Sequence, residues 1–171
     1  TTRNLGIKTA TQKYIAFLDA DDYYLPNRFQ NDLVILENDN TIDGVYNAIG
    51  VHYYEDYKGE KPAWLDLTTI KEAIAPEELF VKMSPFGTKG WFSGDSLTVR
   101  NIFFNKIGFF NENLEVAEDT ELWCRMAMKG RLKGGIINKP IAVRGVHSDN
   151  IFNKRDLYDR NTLIMYQSLF K

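Results

Sequence analysis

Three acidic residues follow directly on a short apolar run near the start of the chain. The run occupies residues 14–18 with the sequence Tyr-Ile-Ala-Phe-Leu, and Asp19, Asp21 and Asp22 come after it. A run that is apolar on both faces predicts a strand buried in the middle of a sheet. Carboxylate oxygens suit Mg²⁺, Mn²⁺ and Ca²⁺, and a metal held by few of them shares its other positions with water and phosphate groups. A solvated acidic turn is the alternative, since Asp favours turns.

A second pair of acids stands at the start of a predicted helix. Glu118 and Asp119 open an amphipathic stretch over residues 118–129, which Gly130 can terminate. The free N–H groups and the dipole of a helix stabilise an ionised carboxylate in its first turn. Asp is also a preferred N-cap residue. The position of Asp119 therefore suits either a carboxylate that accepts a proton or a helix cap.

Composition limits the class of protein. The 171 residues are 44% hydrophobic, which is enough for one domain with a sizeable core. A net charge of −2 gives no indication of a nucleic-acid groove. Cys124 is the single cysteine and permits no internal disulfide, so we expect a reducing, cytoplasmic location and a packed thiol. The chain shows neither a signal peptide nor an apolar stretch of membrane-spanning length.

Hydrophobic spacing predicts alternating helices and strands, which favours an α/β sheet covered by helices. After the acids, Phe29, Leu33 and Leu36 form a predicted apolar stripe on a helix that ends near Asn38. Further strands are predicted at residues 45–54, 96–100, 136–137 and 141–146, and further helices at residues 76–82, 101–107, 118–129 and 154–170.

Two details of this pattern matter for the site and for the end of the chain. Leu157 and Ile164 are expected on one face of the last helix. The strand that carries the acids is the first in the chain, yet a functional strand in the middle of a parallel sheet needs crossover units on both sides. We therefore expect the beginning of the domain to be missing.

Two segments near the start of the chain closely resemble the centre of the family 2 glycosyltransferases. Residues 2–10 read Thr-Arg-Asn-Leu-Gly-Ile-Lys-Thr-Ala, and residues 13–22 read Lys-Tyr-Ile-Ala-Phe-Leu-Asp-Ala-Asp-Asp. In that family an Arg-Asn-x-Gly-Ile segment leads into a strand that ends in the Asp-x-Asp metal motif.

Later blocks follow in the order of the family. Residues 107–112 (Ile-Gly-Phe-Phe-Asn-Glu) and 118–125 (Glu-Asp-Thr-Glu-Leu-Trp-Cys-Arg) resemble its Gly-x-Phe-Asp/Asn-Glu segment and its Glu-Asp-x-x-Leu-Trp-x-Arg helix. Residues 144–147 (Arg-Gly-Val-His) are similar to the Arg-x-x-His that often closes the catalytic domain. With these motifs in order across residues 2–147, the chain is identified as a member of the family.

The resemblance implies a fold and a domain plan. The family uses the GT-A fold, a Rossmann-like mixed sheet covered by helices that binds a nucleotide-diphosphate sugar. We expect one domain over residues 1–171, with the metal and base motifs in residues 1–150 and a C-terminal helix in residues 151–171. The nucleotide-binding half that precedes these motifs in the family is absent, so we expect a fragment of a longer enzyme.

The resemblance also assigns residues to the donor and the metal. Asp21 is expected to ligate Mg²⁺ or Mn²⁺ bridging the diphosphate, and Asp19 to face the ribose or share the metal. Asp22 is expected to support the site or to cap the turn. His147 is a further candidate metal ligand, with a structural role as the alternative. Arg3 is expected to contact the diphosphate or the base, with solvent exposure as the alternative.

For catalysis, the resemblance implies an inverting transfer with Asp119 as the general base. A carboxylate opposite the leaving group takes the proton of the acceptor hydroxyl as it attacks. Glu118 is expected to support it, and Glu118 or Asp95 is next in line as base. The chain has no Gln-x-x-Arg-Trp motif after this helix, which favours transfer of single sugars over processive synthesis.

The expected partners are a nucleotide-diphosphate sugar and a saccharide or lipid-linked saccharide acceptor, as in synthesis of surface polysaccharides or glycans. In relatives, residues 53–83 and 91–95 would lie near the acceptor, and their aromatic side chains suit sugar faces. Peripheral association with the inner face of the membrane and a homo-oligomer through an exposed sheet edge are compatible with the sequence. The alternative function is a non-catalytic fragment that binds only metal or acceptor.

Overall fold

The computed structural model describes residues 1–148 and 155–170. The predicted start of the last helix at Lys154 and the predicted boundary at residues 150/151 lie outside these residues. The α-helices of the described residues are α1 (Thr2–Thr9), α2 (Gln30–Asn38), α3 (Leu79–Lys82), α4 (Phe104–Ile107), α5 (Glu118–Lys129) and α6 (Arg155–Leu169). Short 3-10 turns lie at Ala63–Leu65, Pro76–Glu78, Gly94–Ser96 and Asn101–Phe103.

The strands form two mixed sheets, which confirms the predicted α/β class. They are β1 (Tyr14–Ala16), β2 (Tyr23–Tyr24), β3 (Gly44–Tyr46), β4 (Ala48–Tyr53), β5 (Thr98–Arg100), β6 (Leu132–Gly134) and β7 (Pro140–Val146). The first sheet has the order β1-β5-β3-β6, with β5 antiparallel to β1 and β3, and β3 parallel to β6. The second has the order β2-β7-β4, with β7 antiparallel to β2 and parallel to β4.

The strand before the acids differs from its prediction. β1 covers only Tyr14–Ala16 and lies at the edge of the four-stranded sheet, with half-buried side chains. Leu18 is 47% exposed. The prediction of a fully buried central strand is therefore wrong for the described residues, among which β5 is the one strand that pairs with β1.

The buried face of α2 also differs from its prediction. The helix ends at Asn38 as expected, but Leu33 is 40% exposed. The residues that the helix buries are Asp32 and Leu36, and Arg28, one turn before Asp32, is buried beside them. Leu36 of the predicted stripe is thus buried, but apolar spacing missed the rest of this face because a buried ion pair occupies it.

One predicted strand proves to be two. The interval at residues 45–54 is divided at Asn47, and the two halves belong to different sheets. The fully buried Asn47 side chain accepts a hydrogen bond from the backbone N–H of Ile136 at 2.7 Å. The predicted strand at residues 136–137 is wrong, and the strand in this region is β6.

The main core lies between the first sheet and α5. Leu122, Trp123, Cys124 and Met126 of α5 are buried in it, which confirms the packed thiol. On α6 the core residues are Met165 and Leu169. Leu157 and Ile164 lie seven positions apart in this helix and so share a face, but Ile164 is 41% exposed and is not part of the core. No helix among the described residues is long and apolar enough to cross a membrane.

Candidate functional site

The acidic segment is held in place by the second sheet. β2 begins directly after Asp22, and Tyr23 pairs with Val143 of β7. Asp22 Oδ1 accepts a hydrogen bond from the backbone N–H of Gly145 at 2.8 Å. A Cβ at Gly145 would lie 2.3 Å from the carbonyl oxygen of Asp21, so only glycine permits this approach. The pairing places the acids beside the end of β7.

A group of three carboxylates lies at this position. Oxygens of Asp19, Asp22 and Asp95 all come within 4.8 Å of one another. The backbone N–H of Asp19 donates to Asp95 Oδ1 at 3.2 Å. Burial raises the pKa of Asp22 to about 8, and the hydrogen bond with Asp95 and its negative charge act in the same direction. The carboxylates are thus close enough to share a proton or a cation.

Asp95 is the site residue that sequence reasoning placed elsewhere. It was expected near the acceptor and as a substitute base, yet the residue is only 3% exposed and its carboxylate lies beside those of Asp19 and Asp22. The available signal was the Ser93-Gly94-Asp95 turn directly before a predicted strand. The sequence alone does not show that β5 runs antiparallel beside β1, which brings the residues before Thr98 to the acids after Ala16.

Asp21 and His147 form a separate pair. Asp21 Oδ2 lies 3.2 Å from His147 Nε2, and His147 follows directly on β7. The Tyr54 hydroxyl donates to the carbonyl oxygen of Asp21 at 3.2 Å, and its ring packs edge-on to that of His147. The two residues that the family resemblance assigned to the metal are therefore neighbours.

Arg3 connects the acids that follow β1 with the acids at the start of α5. Its Nη2 donates to Asp19 Oδ1 at 2.5 Å and its Nη1 donates to Glu118 Oε1 at 2.9 Å. The guanidinium also lies over the Phe110 ring. Burial raises the pKa of Glu118, and the charge of Asp119 adds to this effect. Arg3 thus ties α1 to the acidic segment and to the start of α5.

Asp119 lies in the first turn of α5 and is not its N-cap. The helix begins at Glu118, and the cap position is Ala117, whose φ of 60° is left-handed. Asp119 Oδ1 accepts a hydrogen bond from the backbone N–H of Thr120 at 2.6 Å. The alternative of Asp119 as N-cap is therefore wrong, and its carboxylate is stabilised by the helix start.

Two cavities meet at Asp119. We call the smaller, of about 40 Å³, the carboxylate cleft, and its polar wall includes Arg3, Asp19 and Asp95. We call the larger, of about 590 Å³, the aromatic cavity. Its apolar and aromatic lining residues are Tyr57, Pro62, Leu65, Met83, Pro85, Trp91, Phe92, Trp123 and Val146.

Four residues line both cavities and form the boundary between them. They are Ser93, Asp119, Trp123 and Arg144. Arg144 Nη2 donates to Ser93 Oγ at 2.9 Å, and Ser93 Oγ donates to Asp95 Oδ2 at 3.2 Å. The aromatic cavity draws on both segments that were expected near an acceptor, residues 53–83 and 91–95.

The family of the chain follows from comparison with known proteins. The family model described as "Glycosyltransferase like family 2" matches residues 1–133. The chain belongs to this family. An uncharacterized glycosyltransferase of Rickettsia felis is 30% identical over 127 residues, which cover 72% of this chain and 19% of that protein. One of Methanocaldococcus jannaschii is 29% identical over 129 residues, which cover 72% of this chain and 39% of that protein.

Solved structures show the same fold. S. aureus TarS 1-349 in complex with UDP-GlcNAc superposes with a TM-score of 0.56 at 17% identity, covering 91% of this chain and 42% of that one. Another crystal structure of S. aureus TarS 1-349 gives a TM-score of 0.55 at 19% identity, covering 84% of this chain and 39% of that one. The fold is therefore that of the GT-A glycosyltransferases, and this chain spans less than half the length of these similar proteins.

Proposed function

We propose that this family 2 chain carries the catalytic site for the transfer of single sugars. The sugar passes from a nucleotide-diphosphate sugar to an acceptor hydroxyl, with inversion at the anomeric carbon. The observation that carries the proposal is the place of Asp119, at the boundary between a cleft lined by carboxylates and a cavity lined by aromatic rings. A transferase needs this arrangement, because its base must reach the acceptor while the donor lies on the other side.

The donor side is the carboxylate cleft. The oxygens of Asp19, Asp22 and Asp95 are the hard ligands that Mg²⁺ and Mn²⁺ take. Asp21 and His147 provide a further carboxylate and imidazole at the end of β7. We assign the metal to these residues, with Asp21 as a ligand. When bound, the cation offsets the charge that develops on the departing diphosphate.

Arg3 supports the donor in a second way. Its guanidinium is charged at all relevant pH values and is held over the cleft by Asp19 and Glu118. The two carboxylates orient the guanidinium but occupy only some of its five N–H groups, so other N–H groups can bind the diphosphate. We assign to Arg3 a hydrogen bond to the diphosphate.

Asp119 accepts the proton in the proposed reaction. The acceptor oxygen forms a bond to the anomeric carbon while the bond from that carbon to the diphosphate oxygen breaks. The hydroxyl proton passes to Asp119, and the bonding electrons leave with the nucleoside diphosphate. Asp119 lies in the first turn of α5, where the free N–H groups and the helix dipole stabilise a carboxylate.

The acceptor side is the aromatic cavity. Rings such as Trp91, Phe92 and Tyr57 offer apolar faces for the C–H surfaces of a sugar. A saccharide or lipid-linked saccharide of a surface polysaccharide or glycan fits this chemistry. A lipid-linked acceptor would bring the protein to the inner face of the membrane, from a cytoplasmic location.

Binding and turnover can be tested separately. Calorimetry with Mn²⁺ and a panel that starts with UDP-GlcNAc should show binding that EDTA abolishes when the chain is extended by the nucleotide-binding half of the family. Residues 1–171 alone should bind the nucleotide sugar weakly or not at all. Release of nucleoside diphosphate in the presence of simple saccharides should then depend on Mn²⁺, and NMR of the product should show the inverted anomer. Binding without release would favour the non-catalytic alternative, whereas a retained anomer would contradict the inverting reaction.

A further inference from the structure

A buried ion pair lies beneath the carboxylate cleft, outside the residues that the family motifs assign. Arg28 Nη1 donates to Asp32 Oδ2 at 2.6 Å, and their side chains are 2% and 0% exposed. The guanidinium lies between two rings, at 5.4 Å from the centroid of Tyr24 and 4.8 Å from that of Phe29. The guanidinium is therefore held by one carboxylate and by two aromatic rings.

Asp32 joins three elements of the fold. Besides Arg28, it accepts a hydrogen bond from the Thr98 hydroxyl of β5 at 2.6 Å. It also accepts from the side-chain amide of Asn47, between β3 and β4, at 3.0 Å. One carboxylate thus fixes the relative positions of α2, β5 and the link between the two sheets.

The same residues hold the backbone that carries Asp95. Arg28 Nε donates to the carbonyl oxygen of Asp95 at 3.1 Å, and the Asn47 amide donates to that of Ser96 at 3.0 Å. The Asp95 carboxylate accepts a hydrogen bond from the backbone N–H of Asp19. The chain of contacts therefore runs from Asp32 through Arg28 to Asp95 and on to Asp19.

We propose that Arg28 and Asp32 are positioning residues that set the place of Asp95 in the carboxylate cleft and thereby tune donor and metal binding. The part about metal rests on the function proposed above. Stability alone does not explain the pair, because well-packed apolar residues often replace a buried ion pair without loss. Groups behind metal ligands commonly orient them and change metal affinity about 10- to 100-fold.

The decisive variant removes both charges together. Arg28→Met with Asp32→Leu leaves no unpaired buried charge but also no donor to the Asp95 carbonyl. The matched control is Arg100→Met, since Arg100 is another buried arginine that binds backbone carbonyls, those of Leu36, Asp39 and Ile42. Arg28→Lys is a second test that keeps the ion pair but lacks the fork needed to reach Asp95 as well.

Three measurements on each variant separate positioning from stability: the melting temperature, the ¹H–¹⁵N resonance and hydrogen exchange of the Asp19 amide, and Mn²⁺ affinity by calorimetry. We expect the double variant and Arg28→Lys to shift the Asp19 resonance, speed its exchange and weaken Mn²⁺ binding about 10- to 100-fold. Arg100→Met should lower the melting temperature without these changes.

The outcomes distinguish the two proposals. An Asp19 amide and a Mn²⁺ affinity that stay as in the wild type in folded Arg28→Lys or in the folded double variant would overturn the positioning role. A wild-type chain that binds no Mn²⁺ would contradict the metal proposal, while the Asp19 amide would still decide whether Arg28 and Asp32 position Asp95. If the double variant does not fold, the amide of Arg28→Lys decides.

Discussion

Nε2 of His147 lies 3.2 Å from Oδ2 of Asp21, although 126 positions separate the two residues along the chain. The contact exists because β2, which follows the acids, pairs with β7, which ends just before the histidine. The pairing of these two strands thus brings the Asp-x-Asp motif and the closing Arg-x-x-His motif together at one end of a sheet.

The first prediction concerns Asp21. Asp21→Asn keeps the size of the side chain but removes the charge that favours a divalent cation. In the enzyme that includes the nucleotide-binding half, Mn²⁺ affinity and metal-dependent transfer should therefore be lost, while the melting temperature stays within a few degrees. The control is Asp56→Asn, because Asp56 is an exposed acid that binds Ser148 beyond β7. Wild-type transfer that persists in EDTA would show that no metal is needed.

The second prediction concerns the Cys124 thiol. Burial raises its pKa to about 12, from an ordinary value of 9.0. At pH 8 only about one thiol in ten thousand is then ionised, and the thiolate is the reactive form. A disulfide reagent such as DTNB should therefore react with the native chain far more slowly than with the chain in urea. Equal rates in both states would contradict the buried position.

The same shift has a defined sign for stability. Below pH 9 the thiol is protonated in both states, so Cys124 contributes its full packing there. Between about pH 9 and pH 12 the unfolded chain ionises first, and folding becomes less favourable as the pH rises. Cys124→Ala should remove this pH dependence. Urea titrations at pH 8 and pH 10 would then show a smaller difference between the free energies of unfolding at the two pH values than in the wild type.

The third prediction concerns a buried pair on α5. Arg125 binds Glu121 through Nη2 at 2.5 Å and donates to the carbonyl oxygens of Ile107 and Phe109. The Glu121 and Arg125 side chains are 3% and 13% exposed, so Arg125→Met leaves a buried charge without its cation. The free energy of unfolding should fall by about 3–5 kcal/mol. Urea denaturation checks this value.

A double variant tests the cause of that loss. Glu121→Leu together with Arg125→Met removes the stranded charge and should recover part of the stability. If the double variant is as unstable as Arg125→Met, the loss arises instead from the hydrogen bonds of Arg125 to the carbonyl oxygens of Ile107 and Phe109. These two residues flank Gly108, whose φ of 79° favours glycine.

The sequence predicted α5 to the residue, because the acids of its first turn, its apolar spacing and Gly130 all agree. The prediction of the buried face of α2 was wrong in part, for a physical reason. Periodicity counts apolar residues, whereas α2 buries Asp32, whose partners Thr98 and Asn47 come from distant segments. The placement of Asp95 was missed for the same reason, since it depends on strand pairing and not on local pattern.

The fourth prediction concerns the aromatic cavity. Trp91 lines it and is 38% exposed, so Trp91→Ala removes a ring face without opening the core. Loss of one aromatic contact of about 0.5–1.5 kcal/mol should raise KM for the acceptor about 2- to 10-fold and leave donor affinity unchanged. Ile102→Ala is the control, because Ile102 is 73% exposed and lines neither the aromatic cavity nor the carboxylate cleft. An unchanged acceptor KM would place the acceptor elsewhere.

The last prediction is that Asp119 accepts the proton. Asp119→Asn keeps the size of the side chain and can still accept the hydrogen bond from Thr120, but it is not a base. Because Ala117 occupies the cap position, the exchange should leave the melting temperature and donor affinity close to wild type. Loss of a general base lowers the rate about 10²–10⁴-fold. Initial rates of transfer at saturating donor measure this decrease directly.

Glu118→Gln is the matched control for Asp119→Asn, since Glu118 stands one position earlier in the same turn and binds Arg3. Its loss should weaken donor affinity through Arg3 more than it slows the saturated rate. A base also leaves a signature in the pH profile, because the acidic limb of the rate disappears when the titrating carboxylate is replaced. If Asp119→Asn transfers sugar at nearly the wild-type rate, while Glu118→Gln lowers the rate about 10²–10⁴-fold and removes the acidic limb of its pH profile, the base is Glu118. Asp119 then only stabilises the start of α5.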